Sequence, residues 1–169
     1  MKYLANGEMK GAPLMRLTLS WAFVFLGGLW VTNFLLFFLK MGLSYEAVVG
    51  YYLGSEAQYT APRTYQGMLE VTHFHLPIMG MVLLLLTHLL LFVPLRNGWK
   101  AVGVAVPFLS ALLNEGAGWL VRFVHPGFAY MKIAAFLSLQ GSLAILLGLV
   151  LWGIWRRAAR QSAPEEQGN

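Results

Sequence analysis

The chain has 169 residues, 58% hydrophobic and 11% charged, against a charged share of about a quarter in soluble domains, and its mean hydropathy is +0.62. That balance implies an integral membrane protein and excludes an ordinary soluble domain. The net charge of +5 is no sign of nucleic acid, because most Lys and Arg flank apolar runs, where they orient helices in a bilayer.

There is no cysteine. Disulfides, iron–sulfur ligation, thiolate chemistry and the covalent attachment of c-type haem are thereby excluded. Any haem has to be held by His or Met alone. No nucleophile with a triad and no phosphate-binding loop stands out, so the pattern does not suggest a hydrolase or a transferase.

In chain order, residues 1–16 set Lys2, Lys10 and Arg16 against Glu8, with Gly7, Gly11 and Pro13 as breakers, which predicts a non-spanning tail. A first span is expected from about Leu17 to Leu39. It exceeds the apolar run of a signal peptide, roughly 7–15 residues, and its Gly27-Gly28 pair suggests close helix packing. Residues 40–67 form the one sizeable connection and hold five tyrosines, Tyr45, Tyr51, Tyr52, Tyr59 and Tyr65, suited to the headgroup level. A short interfacial helix is expected over 43–53. This connection reads either as a packed cap on the bundle or as a docking surface or lid.

The second span is expected from about Met68 to Pro94, followed by a basic turn at Arg96 and Lys100. A third runs from about Ala101 to Phe123. His125-Pro126-Gly127 closes a turn, since the residue before proline is pushed out of the helical region. The fourth span covers Phe128 to Trp155 and ends in Arg156, Arg157 and Arg160; Gln161 to Asn169 are polar and expected to be disordered. The fold class is thus all-α, a four-helix membrane bundle over residues 17–156, with a loop at 40–67 and tails at 1–16 and 157–169. The amino tail, the basic turn and the carboxyl tail hold eight basic residues against four on the opposite side, Lys40, Arg63, Arg122 and Lys132. The positive-inside rule then puts both termini in the cytoplasm and the 40–67 loop in the periplasm of a bacterial inner membrane.

Ionisable side chains inside a span are costly to insert and mark candidate sites. His73 and His75 open the second span in Thr72-His73-Phe74-His75, and at about 100° per residue they point about 200° apart. His73 heads a stripe through Pro77, Gly80, Leu84 and His88 whose members fall within about 80° of one another. Gly80 leaves a groove on that face, which suits a flat macrocycle. The topology brings His73, His75 and His125 to one leaflet, so a b-type haem with His73 or His75 and His125 as axial ligands is the leading expectation. Arg122 is a candidate partner for a haem propionate or a quinone oxygen. His88 lies in the other leaflet with no facing histidine, as a five-coordinate ligand, a ligand shared with a partner subunit, or a neutral imidazole bonded to a backbone carbonyl.

Glu115, in Asn114-Glu115-Gly116 within an apolar run, is a candidate proton acceptor for quinol oxidation, a metal ligand, or a protonated carboxyl bonded across the bundle. Glu70, His73, His75 and His125 are the oxygen and imidazole donors of a rival non-haem metal site, with Glu70 and His73 at the i, i+3 spacing that shares a helix face. Met79, Met81 and Met131 are thioether candidates that more simply pack.

A four-helix bundle with histidines near one face resembles the haem-bearing membrane subunits of succinate dehydrogenase and formate dehydrogenase. Thr72-His73-Phe74-His75-Leu76, with Pro107-Phe108-Leu109-Ser110-Ala111-Leu112-Leu113 and Trp119-Leu120, is similar to a group of small bacterial membrane proteins that open their second helix with T-H-x-H-L and tend to accompany multihaem c-type cytochromes. The residues themselves are read as those of a b-type cytochrome subunit expected to pass electrons between membrane quinone and a periplasmic c-type cytochrome or other redox subunit, with at least one haem b. Any covalent haem is then on the partner. A cofactor-free membrane anchor of a larger complex is the alternative.

Overall fold

The computed structural model describes residues 13–57 and 59–161; the expectations for tail residues 1–12 and 162–169 lie outside the described residues. The described residues form five α-helices, α1 (Pro13–Lys40), α2 (Tyr45–Leu53), α3 (Tyr65–Leu90), α4 (Asn97–Phe123) and α5 (Ala129–Gln161), with a 3₁₀ turn at Pro126–Phe128 before α5. Among the described residues four stretches are long and apolar enough to cross a bilayer: Leu17–Lys40, Tyr65–Leu90, Asn97–Phe123 and Pro126–Gly153. The protein is a multi-pass, all-helical membrane protein.

The helix boundaries differ from the sequence reading for local reasons. Pro13 opens α1 instead of breaking it, because the first helical position needs no amide hydrogen and favours the fixed φ of proline. Thr64 starts α3 one residue before Tyr65, its Oγ1 accepting from the Gly67 amide at 3.1 Å. α3 ends at Leu90, ahead of Pro94, and the Lys100 ammonium closes its last turn by donating to the Leu91 carbonyl at 2.7 Å. α5 runs on past Trp155 to Gln161.

Residues 40–67 form a folded cap. Ser44 caps α2 by accepting from the Ala47 amide at 3.2 Å, and α2 buries Val48 and Tyr52 with Met68, Val121 and Ala129. Gly54 then turns the chain back at φ 83°; a Cβ there would stand 2.6 Å from the Thr60 carbonyl oxygen. The Arg63 amide donates to the Tyr52 carbonyl at 3.0 Å, which seats the strap over the bundle.

The main core joins α3 to α5, with Leu83, Leu86 and Leu90 against Leu139, Leu143, Leu146 and Val150, and Phe23 of α1 closing it. α1 leans on α5, where Phe37 stacks on Phe136 at 3.6 Å between ring centroids and the Trp30 indole donates to the Gln140 carbonyl at 3.1 Å. The close packing expected at Gly27 and Gly28 is not found: a Cβ at either position would meet nothing within 4 Å. Aromatic rings rather than small residues make the contact.

Candidate functional site

α3 and α4 run side by side, and each carries polar residues in the half of the bundle below the cap. His75 is ten residues into α3 and Glu115 eight before the end of α4, so both lie about 12–15 Å from the loop-side helix ends at 1.5 Å per residue. Their side chains meet, His75 Nδ1 lying 2.7 Å from Glu115 Oε1. The second carboxylate oxygen accepts from Thr72 Oγ1 at 3.4 Å, and the Trp119 indole donates to the same hydroxyl at 2.9 Å. The partner of Glu115 is thus His75, and Arg122 is turned elsewhere.

α5 supplies a third ionisable group. Lys132 is buried at 6% exposure, and its ammonium donates to the Asn114 carbonyl at 2.8 Å within electrostatic range of Glu115. A lysine in a span costs several kcal/mol unless it is paired, and here a carbonyl and a nearby carboxylate share that role. The Asn114 side-chain oxygen is buried and has no hydrogen-bond partner among the described residues.

Two cavities meet at Glu115. One, of about 230 Å³, lies under the cap and is lined by Tyr51, Tyr52, Arg63, Thr72, Glu115 and Trp119, among others. The other is an apolar cleft of about 70 Å³ between α3 and α4, where His75, Asn114 and Glu115 face Leu76, Met79, Gly80 and Phe108. Gly118 makes room for the roof of the first, since a Cβ there would stand 2.6 Å from the Tyr52 phenol oxygen. Burial pushes the Tyr52 phenol above its ordinary range, so this ring is a neutral wall. Arg122 Nε donates to the Arg63 carbonyl at 2.7 Å, and the Arg63 guanidinium lies 4.1 Å over the Tyr51 ring. Arg122 therefore fastens the cap.

The remaining sequence candidates sit apart from this cluster. His125 accepts the Gly127 amide on Nδ1 at 2.9 Å. A neutral imidazole has one lone pair, and in this placement that pair is committed, which makes His125 a helix cap rather than a ready axial ligand. Glu70 accepts from Gln66 Nε2 at 2.9 Å. His73 and His88 are exposed on the outer face of α3. Among the described residues no three His, Asp or Glu side chains gather as metal ligands, so Glu70, His73, His75 and His125 do not converge. For a haem, the donor chemistry fits His73 and His88, whose rings form no hydrogen bond among the described residues, and one nitrogen of His75, whose other nitrogen is held by a carboxylate as metal-binding imidazoles commonly are.

Sequence reasoning missed Lys132, counting it as a flanking charge. The available signal was its place within the apolar run of the fourth span. It also passed over Thr72, which lies about 60° from His75 on the helix.

Fold and cluster together define a four-span helical membrane protein with a polar centre in its loop-side half. The chain belongs to the Aq_1264_TM family, described as a transmembrane helical domain, whose model matches residues 42–161. The match takes in α2 to α5, and with them all four histidines, Glu115 and Lys132. No curated protein and no solved structure matches the chain.

Proposed function

We propose that the chain is the membrane subunit of a redox complex in the bacterial inner membrane, exchanging electrons between membrane quinone and a periplasmic c-type cytochrome or other redox subunit docked on residues 40–67. The carrying observation is the His75–Glu115 pair, 2.7 Å apart where an apolar cleft and a polar cavity meet. Quinone and quinol interconvert by moving protons together with electrons, and a positioned carboxylate–imidazole pair is an acid–base device for that task. A ring entering between α3 and α4 presents its oxygen to His75 and Glu115. Oxidation of a quinol releases two protons with its two electrons: Glu115 takes the proton of one hydroxyl and the His75 imidazole that of the other, and the cavity under the cap, lined by Thr72 and the other carboxylate oxygen, leads them toward the loop side. The electrons leave to the docked partner. The charge bias of the loops supports cytoplasmic termini and a periplasmic cap.

A b-type haem is the cofactor this reading adds, as a one-electron carrier, and the unengaged imidazoles of His73 and His88 are the residues that support it. Arg122, fastened to the cap, supplies a cation near the loop-side surface.

The test uses the purified full chain in mild detergent, titrated with a short-chain quinone while Trp119 fluorescence is followed. Saturable quenching is expected, absent in Trp119→Phe and weakened at least tenfold in affinity, about 1.4 kcal/mol, in Glu115→Gln. A folded chain that is not quenched overturns the quinone site and favours the cofactor-free anchor.

A further inference from the structure

The cavity under the cap holds a polar group that the proton transfers do not use. Tyr52 is 7% exposed, and its phenol makes no hydrogen bond among the described residues. It lines the cavity, and its oxygen stands over Gly118, where a Cβ would lie 2.6 Å away. Gly118 follows Glu115 on α4 by about one helical turn, or about 4.5 Å of rise toward the cap. A buried hydroxyl without a partner costs free energy unless something in the cavity accepts from it. Burial holds this phenol protonated, so it faces the cavity as a donor. The surroundings suit a planar ring: Tyr51 and Trp119 supply aromatic walls, and the volume of about 230 Å³ far exceeds the roughly 10–15 Å³ that one water needs.

The adjoining cleft has another character. Leu76, Met79, Leu83, Phe108 and Leu112 line it, a lining for hydrocarbon. Cleft, His75–Glu115 pair and cavity thus follow one another, because Glu115 borders both spaces. A quinone laid along them has its hydrocarbon tail in the cleft and a ring oxygen at the pair. The ring edge opposite the tail then enters the cavity beside Tyr52. We propose that the site selects benzoquinones whose edge opposite the tail carries alkoxy oxygens, which accept from the Tyr52 phenol, over naphthoquinones, whose fused hydrocarbon ring occupies that edge. The proposal rests on the quinone reading above and names the class of quinone. Both classes present the same carbonyl chemistry to His75 and Glu115. A fused ring, however, leaves the phenol buried and unpaired, and a site with a buried donor discriminates against a ligand that lacks the acceptor. Tyr52 is then a specificity-determining residue that moves no proton itself.

The test uses two probes with the same decyl tail, a dimethoxybenzoquinone and a methylnaphthoquinone. Each is titrated against the purified full chain in mild detergent while the fluorescence of Trp119, which lines the cavity with Tyr52, is followed. The parent chain is expected to bind the dimethoxybenzoquinone about tenfold tighter. Tyr52→Phe keeps the ring over Gly118 and removes only the hydroxyl. It should weaken the dimethoxybenzoquinone about tenfold and leave the naphthoquinone unchanged, which erases the preference. Tyr45→Phe alters a tyrosine stacked on Tyr130, outside the cavity lining, and should keep the preference. Tighter binding of the naphthoquinone, or a preference that survives in Tyr52→Phe, overturns the inference. The comparison in the parent chain decides by itself if Tyr52→Phe does not fold. Equal quenching by both probes sinks the selectivity and leaves the quinone reading standing, whereas quenching by neither sinks both, so the two failures are distinguishable.

Discussion

The two halves of the bundle solve the problem of a membrane interior differently. On the side of the α3–α4 turn, Leu83, Leu86, Leu90, Leu143, Leu146 and Val150 fill the space between α3 and α5. Under the cap, α3, α4 and α5 bring together Thr72, His75, Glu115, Trp119 and Lys132, each engaged with another polar group. Lipid tails are as apolar as leucine, so the first half is held by packing rather than by transfer from water. The second half keeps groups that hydrocarbon would expel, and it surrounds them with two cavities. Stability and chemistry are thus assigned to opposite ends of the same helices.

Three substitutions or conditions sharpen that contrast. The largest effect is expected at Gly118, where a methyl group has to displace the buried Tyr52 ring. Overpacking of this kind costs about 1–3 kcal/mol, so Gly118→Ala should lower the unfolding midpoint in detergent and weaken quinone quenching of Trp119 together. Leu86, at 1% exposure, tests the other half. The bilayer removes the transfer component, leaving the cavity component, on the order of 1–2 kcal/mol at about 24 cal/mol per Å³. Leu86→Ala should therefore lower stability while the quenching of the folded fraction stays unchanged; a changed affinity would break the division between the halves.

The smallest effect is nil at neutral pH and grows above pH 10. Burial raises the folded-state pKa of Tyr52 from its ordinary 10.0, so the folded state binds more protons than the unfolded state above that value. The stability this contributes is complete below pH 10 and shrinks as pH climbs toward the folded value. Unfolding titrations of the parent chain and Tyr52→Phe should run parallel below pH 10 and diverge above it, the parent losing stability faster.

Much of the architecture was legible in the chain. The four spans, the short helix behind Ser44 and the turn at His125-Pro126-Gly127 follow from apolar length, a capping hydroxyl and a proline, all of which act over a few residues. Boundaries shifted where a local cap outweighed hydropathy, as at Pro13 and Thr64. The site was legible in part. Glu115 and His75 stood out because ionisable residues in an apolar run are expensive, yet their pairing depends on how α3 and α4 are rotated against each other. Helical arithmetic separated His73 from His75 but gave no sign of which one reaches Glu115.

The sequence by itself determined that this chain spans a membrane four times and that its histidines and Glu115 are out of place in hydrocarbon, because composition and helical period depend only on neighbours along the chain. Only the tertiary structure decided that His75 rather than Arg122 meets Glu115, that Lys132 belongs to the same cluster, and that His125 spends its lone pair on Gly127. The first two turn on ångström distances between different helices, which depend on how one helix lies against another, and the last on the direction of a single lone pair, which the residue order around Pro126 does not fix.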